Sequence, residues 1–204
     1  MKYLPFWGAT ALALILFSAA PAKAQRGDYD YTPSINYTYL EVGLEAVDYN
    51  GGNESGLLLK GSMVTAEFMR VLGEIAIGSG DDFFGYYDYT DLTVGLGGFT
   101  SLSSEGTTID WTAAYLHLNW SDAFGSVTNT GYYLDGGFRT MVAPNMELNG
   151  GLRYREVEGF DSRWIRLGMV IASPVTGHGF SFEYLTSDAP SDPTKIRLCY
   201  RIHF

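Results

Sequence analysis

The last ten residues of the chain, KIRLCYRIHF, alternate strictly between large apolar side chains and other residues. The apolar set is Ile196, Leu198, Tyr200, Ile202 and Phe204. The residues between them are Arg197, Cys199, Arg201 and His203. A period of two places the two sets on opposite faces of one β-strand. Such a strand belongs to a soluble sheet with its apolar face in a core, or to a sheet whose apolar face contacts lipid.

The first 24 residues predict export from the cytoplasm. They begin with Lys2, continue through an apolar stretch and end on Ala22-Lys23-Ala24, the pattern of a cleaved secretory signal peptide. We therefore take 1–24 as a signal peptide and 25–204 as a single domain. Cys199 is the only cysteine, so no disulfide can form within the chain. A closed barrel would supply rigidity instead, because each of its strands is paired on both sides.

The domain predicts an all-β fold, because alternating segments follow one another with turn residues between them. The predicted strands are 35–47, 56–64, 68–78, 89–100, 108–119, 130–142, 146–157, 162–173, 178–187 and 195–204. Their lengths suit tilted strands that cross a bilayer. We expect a transmembrane, antiparallel, up-and-down β-barrel of ten strands, with eight strands as the alternative if two weak segments are loops.

Charged residues share one parity on each predicted strand. On the first strand, for example, Glu41 and Glu45 oppose Val42 and Leu44. A charge on the lipid face near the midplane costs roughly 2–4 kcal/mol, so a membrane barrel requires this segregation. The alternative is a soluble β-sandwich. Its solvent-exposed face would normally carry many lysines, which are rare in this chain. The predicted lumen network comprises Glu41, Glu45, Lys60, Arg70, Glu74, Asp135, Arg139, Arg153, Arg155, Arg166, Glu183 and Arg197.

The connecting segments on one side are polar, acidic and rich in aromatic residues. The most distinctive is GDDFFGYYDYTD, for which we predict an outer loop that exposes Asp81, Asp82, Phe83, Phe84, Tyr86 and Tyr87. Removal of Lys2 and Lys23 with the signal takes the formal net charge from −10 to −12. This sign argues against nucleic acid as a partner. Acidic loops beside lipopolysaccharide would attract divalent cations that bridge them to anionic head groups.

These features resemble the small outer-membrane β-barrel proteins of Gram-negative bacteria, the OmpA/OmpX-like class. The resemblance rests on the signal ending AKA, the opening strand YTYLEVGLE, the segment GYYLDGGFRTMVAPNMELNGGLRYRE and the closing IRLCYRIHF. It implies a location in the cell outer membrane, in contact with lipid and lipopolysaccharide. It also implies that Tyr200, Ile202 and Phe204 belong to a signal read by the outer-membrane assembly machinery, after escort by periplasmic chaperones.

The expected function is a structural or cell-surface interaction role without enzymatic activity. Barrels of about eight strands have interiors filled by side chains, so a blocked lumen is the first expectation and a narrow porin-like channel for small solutes or ions is the second. A lipid-acting enzyme is a distant third. Its candidate pair would be His117 and Ser121, whose spacing matches no known nucleophile pattern. The sequence shows no metal-ligand spacing and no nucleotide loop, so we expect no cofactor.

Overall fold

The computed structural model describes residues 35–82, 85–102, 106–189 and 193–204. The predicted signal peptide and the residues Phe83 and Phe84 lie outside these ranges. Ten strands are present: β1 (Tyr39–Tyr49), β2 (Gly52–Ala66), β3 (Met69–Asp82), β4 (Gly85–Ser101), β5 (Thr107–Ser121), β6 (Ser126–Ala143), β7 (Met146–Val157), β8 (Phe160–Ala172), β9 (His178–Ser187) and β10 (Thr194–His203). No helix in the described ranges is long and apolar enough to cross a membrane.

The strands form one closed antiparallel barrel with up-and-down order. Each strand pairs with its neighbours in the chain, and β1 closes the ring by pairing with β10 from Tyr39↔His203 to Asp48↔Thr194. All ten strands are therefore paired on both sides, which confirms the ten-stranded prediction and excludes the eight-stranded alternative. We call the end that holds Tyr39 and His203 the terminal end, and the opposite end the distal end.

The outward face of the barrel carries a belt of exposed apolar side chains. Leu44, Leu57 and Leu152 are 61%, 65% and 68% exposed although they lie in the middle of their strands. Charged residues on the same strands, such as Glu45 and Arg153, point to the inside. A soluble sheet would bury the apolar face and hydrate the charged one, so this arrangement requires a lipid environment. The chain is a transmembrane barrel of the outer-membrane type.

The strands are longer at the distal end than predicted. β4 begins at Gly85 instead of residue 89, and β6 begins at Ser126 instead of residue 130. Most of the segments predicted as outer loops are thus strand, because the backbone ladder continues almost to the hairpin turns, as at Tyr49↔Gly52 and Asp82↔Gly85. Continued pairing satisfies backbone groups that a loop would leave to water.

Candidate functional site

The lumen holds the main concentration of polar chemistry. All twelve charged residues predicted for it belong to the inward-facing parity of their strands. Eleven of them take part in ion pairs within 4 Å, which join strands that are distant in sequence. The sequence analysis predicted that these charged residues face the lumen, but it did not predict which residues would form ion pairs with each other.

Arg197 on β10 is the centre of the largest ion-pair group. Its guanidinium contacts the carboxylates of Glu45 at 2.7 Å, Glu74 at 2.6 Å and Glu183 at 3.2 Å. Lys195 adds a second cation to Glu45 at 3.1 Å. Arginine suits this position because its planar fork donates several hydrogen bonds in fixed directions. One side chain thereby ties together β1, β3, β9 and β10.

Glu41 is the centre of a second group beside the strand pair that closes the barrel. It contacts Arg201 at 2.6 Å and Lys60 at 3.6 Å, and it accepts a hydrogen bond of 2.5 Å from the hydroxyl of Ser181. Glu41 and Arg201 are also register partners in the β1–β10 pair. Arg201 and Lys195 were missing from the predicted network, although both share the parity of Arg197 on the closing strand.

A third group surrounds Asp135 on β6. Arg153 and Arg166 donate to its two carboxylate oxygens at 3.0 Å and 2.9 Å, and Arg166 also donates to the amide oxygen of Asn149 at 2.8 Å. The ring of Tyr133 stacks against the guanidinium of Arg153 at 4.2 Å. These side chains come from β6, β7 and β8, whereas the Arg197 group comes from β1, β3, β9 and β10, so the middle of the lumen is filled from most of the ring.

The terminal end of the lumen is closed by an aromatic residue. Tyr37, which precedes β1, is 3% exposed and lies against the guanidinium groups of Arg70 and Arg139 at 4.9 Å and 4.8 Å from its ring centre. Its hydroxyl forms a hydrogen bond of 2.6 Å with Thr108. Both arginines also pair with Asp110, at 3.1 Å and 3.3 Å. Tyr37 lies in the predicted first strand and shares the parity of Glu41, but the sequence analysis did not select it because the predicted lumen network included only charged residues.

Arg155 is the exception in the predicted network. Among the described residues no carboxylate lies within salt-bridge distance of it, and its Nε has no hydrogen-bond partner. The inward carboxylate of Asp91, which the sequence analysis did not select, also has one buried oxygen without a partner. By register Asp91 pairs with Ala76 and Leu118, and Arg155 pairs with Tyr133, so both charged groups lie beside buried apolar side chains.

The charged groups leave almost no open space. The cavity between them has a volume of about 60 Å³ and is lined by residues of all three groups, including Glu41, Asp135 and Arg197. A single water needs roughly 10–15 Å³ by this kind of measure, so the cavity has room for a few waters. The part of the lumen between these three groups is therefore a packed polar core.

The distal end of the barrel forms the second candidate surface, which we call the distal crown. Asp81, Asp82, Tyr86 and Tyr87, predicted for an outer loop, lie at the ends of β3 and β4. Tyr86 is 83% exposed, whereas Tyr87 points inward. The hydroxyl of Tyr87 forms hydrogen bonds with the hydroxyl of Tyr49 at 2.5 Å and with the carboxylate of Glu54 at 2.7 Å. The predicted patch therefore divides between the two faces of the sheet.

The distal crown is strongly acidic and carries exposed aromatic residues at its turns. Phe124 and Phe160 are 89% and 81% exposed. The acidic residues at this end are Asp48, Glu54, Asp81, Asp82, Asp88, Asp122, Glu156, Glu158, Asp161 and Asp188. Of the described basic residues at this end, Arg155 and Lys195 face the lumen, and Arg163 faces outward, where its contact with Asp188 is a long 4.0 Å. The crown thus presents negative charge and apolar rings to the same solvent region.

The proposed assembly signal lies on the outward face of β10. Tyr200 and Phe204 are 41% and 54% exposed, and Ile202 shares their parity. The hydroxyl of Tyr200 forms a hydrogen bond of 2.5 Å with Nδ1 of His178 on β9. The backbone N–H of Phe204 donates to the carbonyl of Thr38 at 3.2 Å, which places Phe204 beside the start of β1.

No protein-family profile matches the chain, and no curated protein has significant sequence similarity to it. Solved structures do have a similar fold. The translocator domain of the autotransporter NalP from Neisseria meningitidis is 11% identical, with 97% of this chain and 96% of that chain covered and a TM-score of 0.51. An outer-membrane channel from Pseudomonas putida is 11% identical, with 87% and 99% covered and a TM-score of 0.49.

OprG from Pseudomonas aeruginosa, an outer membrane protein, is 12% identical, with 84% of this chain and 99% of that chain covered and a TM-score of 0.44. At such low identity a likeness concerns the fold and transfers no activity. The fold and the apolar belt agree with each other, and both are those of a barrel that spans the outer membrane. The protein is located in the outer membrane and crosses it with ten strands.

Proposed function

We propose that the protein is a non-conducting, non-enzymatic outer-membrane barrel, of the small OmpA/OmpX-like kind, whose functional surface is the distal crown. The observation that carries this proposal is the filled lumen. Ion-pair groups centred on Glu41, Asp135 and Arg197 occupy its middle, and Tyr37 covers its terminal end. To pass through the lumen, a solute would have to break several buried ion pairs. Separating one partner from a buried ion pair costs roughly 3–5 kcal/mol.

The positions of the histidines support a role without catalysis. His117 and Ser121 lie on the same face of β5 but four residues apart, which separates them by about 13 Å along the strand. A nucleophile and its base must lie within hydrogen-bond distance. His178 is bonded to Tyr200, and His203 lies at the terminal end beside Tyr39. His178 and His203 therefore lie at the end opposite the acidic distal crown, where a surface enzyme would act.

Conductance across a planar bilayer tests the proposal. The full chain, folded as judged by its heat-dependent shift in gel mobility, should insert without reproducible single-channel steps. A silent barrel would leave the distal crown as the surface to investigate, with binding of a cationic polypeptide such as polylysine as the first assay. Reproducible steps would instead favour the narrow-channel alternative, and Arg139, Arg153, Arg155 and Glu41 would become candidates for selectivity.

A further inference from the structure

The lipid-facing surface of the barrel has a groove at β10, β1, β2 and β3. The outward residues of β10, β1, β2 and β3 form a row of large aliphatic side chains, because Leu44 pairs with Leu198 on one side and with Leu57 on the other, and Leu57 pairs with Ile77. In the next row towards the distal end the side chains on β1, β2 and β3 are small, because Ala46 pairs with Ser55 and Ser55 pairs with Ser79, while Ile196 on β10 forms one side of the row.

The step from large to small side chains creates a groove of about 590 Å³ on the outside of the barrel. Its apolar floor is continuous with the belt that contacts lipid, so a hydrocarbon chain can enter it from the bilayer without crossing water. Ala46, Ser55 and Ser79 are exposed, and no described side chain fills the space above them.

The distal rim of the groove is acidic. Asp88 pairs with Ser79 across the β3–β4 ladder and lines the groove. The row above it contains Asp48 and Asp81, which face outward on β1 and β3. Neither Asp48 nor Asp88 forms a salt bridge with a described basic residue. Serine hydroxyls and carboxylates at the edge of an apolar groove match a head group that is cationic and donates hydrogen bonds.

We propose that this groove is a specific binding site for an acyl lipid whose head group carries an ammonium, with one chain on the row that contains Leu44 and Leu57 and the ammonium at Asp88. Two observations determine the occupant. The first is the continuity of the floor with the lipid-facing belt, and the second is the charge complementarity of the rim. The inference rests on the outer wall alone and does not depend on whether the lumen conducts.

Native mass spectrometry of the full chain in detergent, with added phosphatidylethanolamine or phosphatidylglycerol of identical acyl chains, tests the site. We expect each barrel to retain one more molecule of phosphatidylethanolamine than of phosphatidylglycerol. Ala46→Trp should fill the groove and abolish that difference. Ala113→Trp is the matched control, because Ala113 also faces outward but lies on β5, away from the groove. If Ala46→Trp impairs folding, Ser79→Phe fills the same space from a neighbouring strand.

The head-group assignment has its own test. Asp88→Asn should weaken phosphatidylethanolamine binding up to about fivefold, the effect of losing one exposed ion pair, and leave phosphatidylglycerol binding unchanged. Equal retention of the two lipids, or phosphatidylglycerol binding that appears only with added Mg²⁺, would overturn the ammonium assignment. Full retention of phosphatidylethanolamine by both groove-filling variants would overturn the site itself.

Discussion

At the scale of single residues, Arg197 is the side chain with the largest expected effect on stability. It neutralises three carboxylates, of Glu45, Glu74 and Glu183, and it is 5% exposed. Arg197→Met would leave these carboxylates close together and buried. We expect it to lower the free energy of unfolding by about 3–5 kcal/mol, the usual effect of breaking a buried ion pair on one side. Urea unfolding of the folded barrel in lipid vesicles measures this change.

Arg163→Met is the matched control for Arg197→Met. Its partner Asp188 is 4.0 Å away, and their side chains are 77% and 57% exposed. Exposed pairs of this kind contribute little to stability, so the control variant should unfold at nearly the wild-type urea concentration. Equal stability of the two variants would show that the lumen network does not hold the barrel together.

Gly43 allows the closing strands to approach each other. A Cβ atom at this position would collide with the backbone of Leu198 and Cys199 on β10. Gly43→Val should therefore lower the free energy of unfolding by about 1–3 kcal/mol, as overpacking does in other cores. Gly136→Val is the control, because a Cβ at Gly136 meets nothing within 4 Å. If the two valine variants unfold at the same urea concentration, close approach at the seam is not what requires glycine at position 43.

At the scale of elements, the extended β3–β4 hairpin differs most from the prediction. Tyr87 pairs with Gly80 on β3, and from Asp88, which pairs with both Ser79 and Ser121, β4 is paired on both sides. Amide hydrogen exchange of the barrel in lipid should show slow exchange over 87–91 and fast exchange over the turn 122–125. Fast exchange over 87–91 would favour the predicted loop over the observed strand.

The alternating pattern predicted the number of strands and the face of each charge, because both follow from a period of two. It did not predict where the strands end. Acidic residues such as Asp81 and Asp88 indicate contact with solvent, which is typical of loops, whereas here they lie on strands that extend beyond the lipid-facing belt. The polarity of a residue indicates whether its side chain contacts solvent, but the end of a strand depends on where backbone hydrogen bonding to the neighbouring strand stops.

The partners within the lumen could not be predicted for a related reason. Glu45 and Glu183 are register neighbours of Arg197, but Glu74 lies on β3, more than a hundred residues away in sequence. The contact between Arg197 and Glu74 depends on the stagger of the closed ring, which a single sequence does not encode in any local pattern. The same holds for Tyr37, which reaches Arg70 and Arg139 only because the ring brings β3 and β6 to its two sides.

At the scale of the whole molecule, the obstructions in the lumen are arranged one after another along the barrel. Tyr37 with its two arginines closes the terminal end, and the groups of Glu41, Asp135 and Arg197 fill the middle together with Leu58. The buried side chains of Tyr89 and Leu118 lie towards the distal end. Obstructions in series block a path until every one of them is removed. Single substitutions should therefore leave the barrel closed to ions.

Arg197→Ala and Tyr37→Ala, each inserted into a planar bilayer as a folded barrel, test this arrangement. Both should be as silent as the wild type, although Arg197→Ala should also be less stable. Arg163→Ala serves as a control for insertion, because its site lies on the outer surface. Regular conductance steps from Tyr37→Ala alone would show that the terminal end is the only effective barrier and that the ion-pair groups above it leave a path for ions. The lumen would then be a gated pore with its gate at Tyr37, and the narrow-channel alternative would replace the closed barrel.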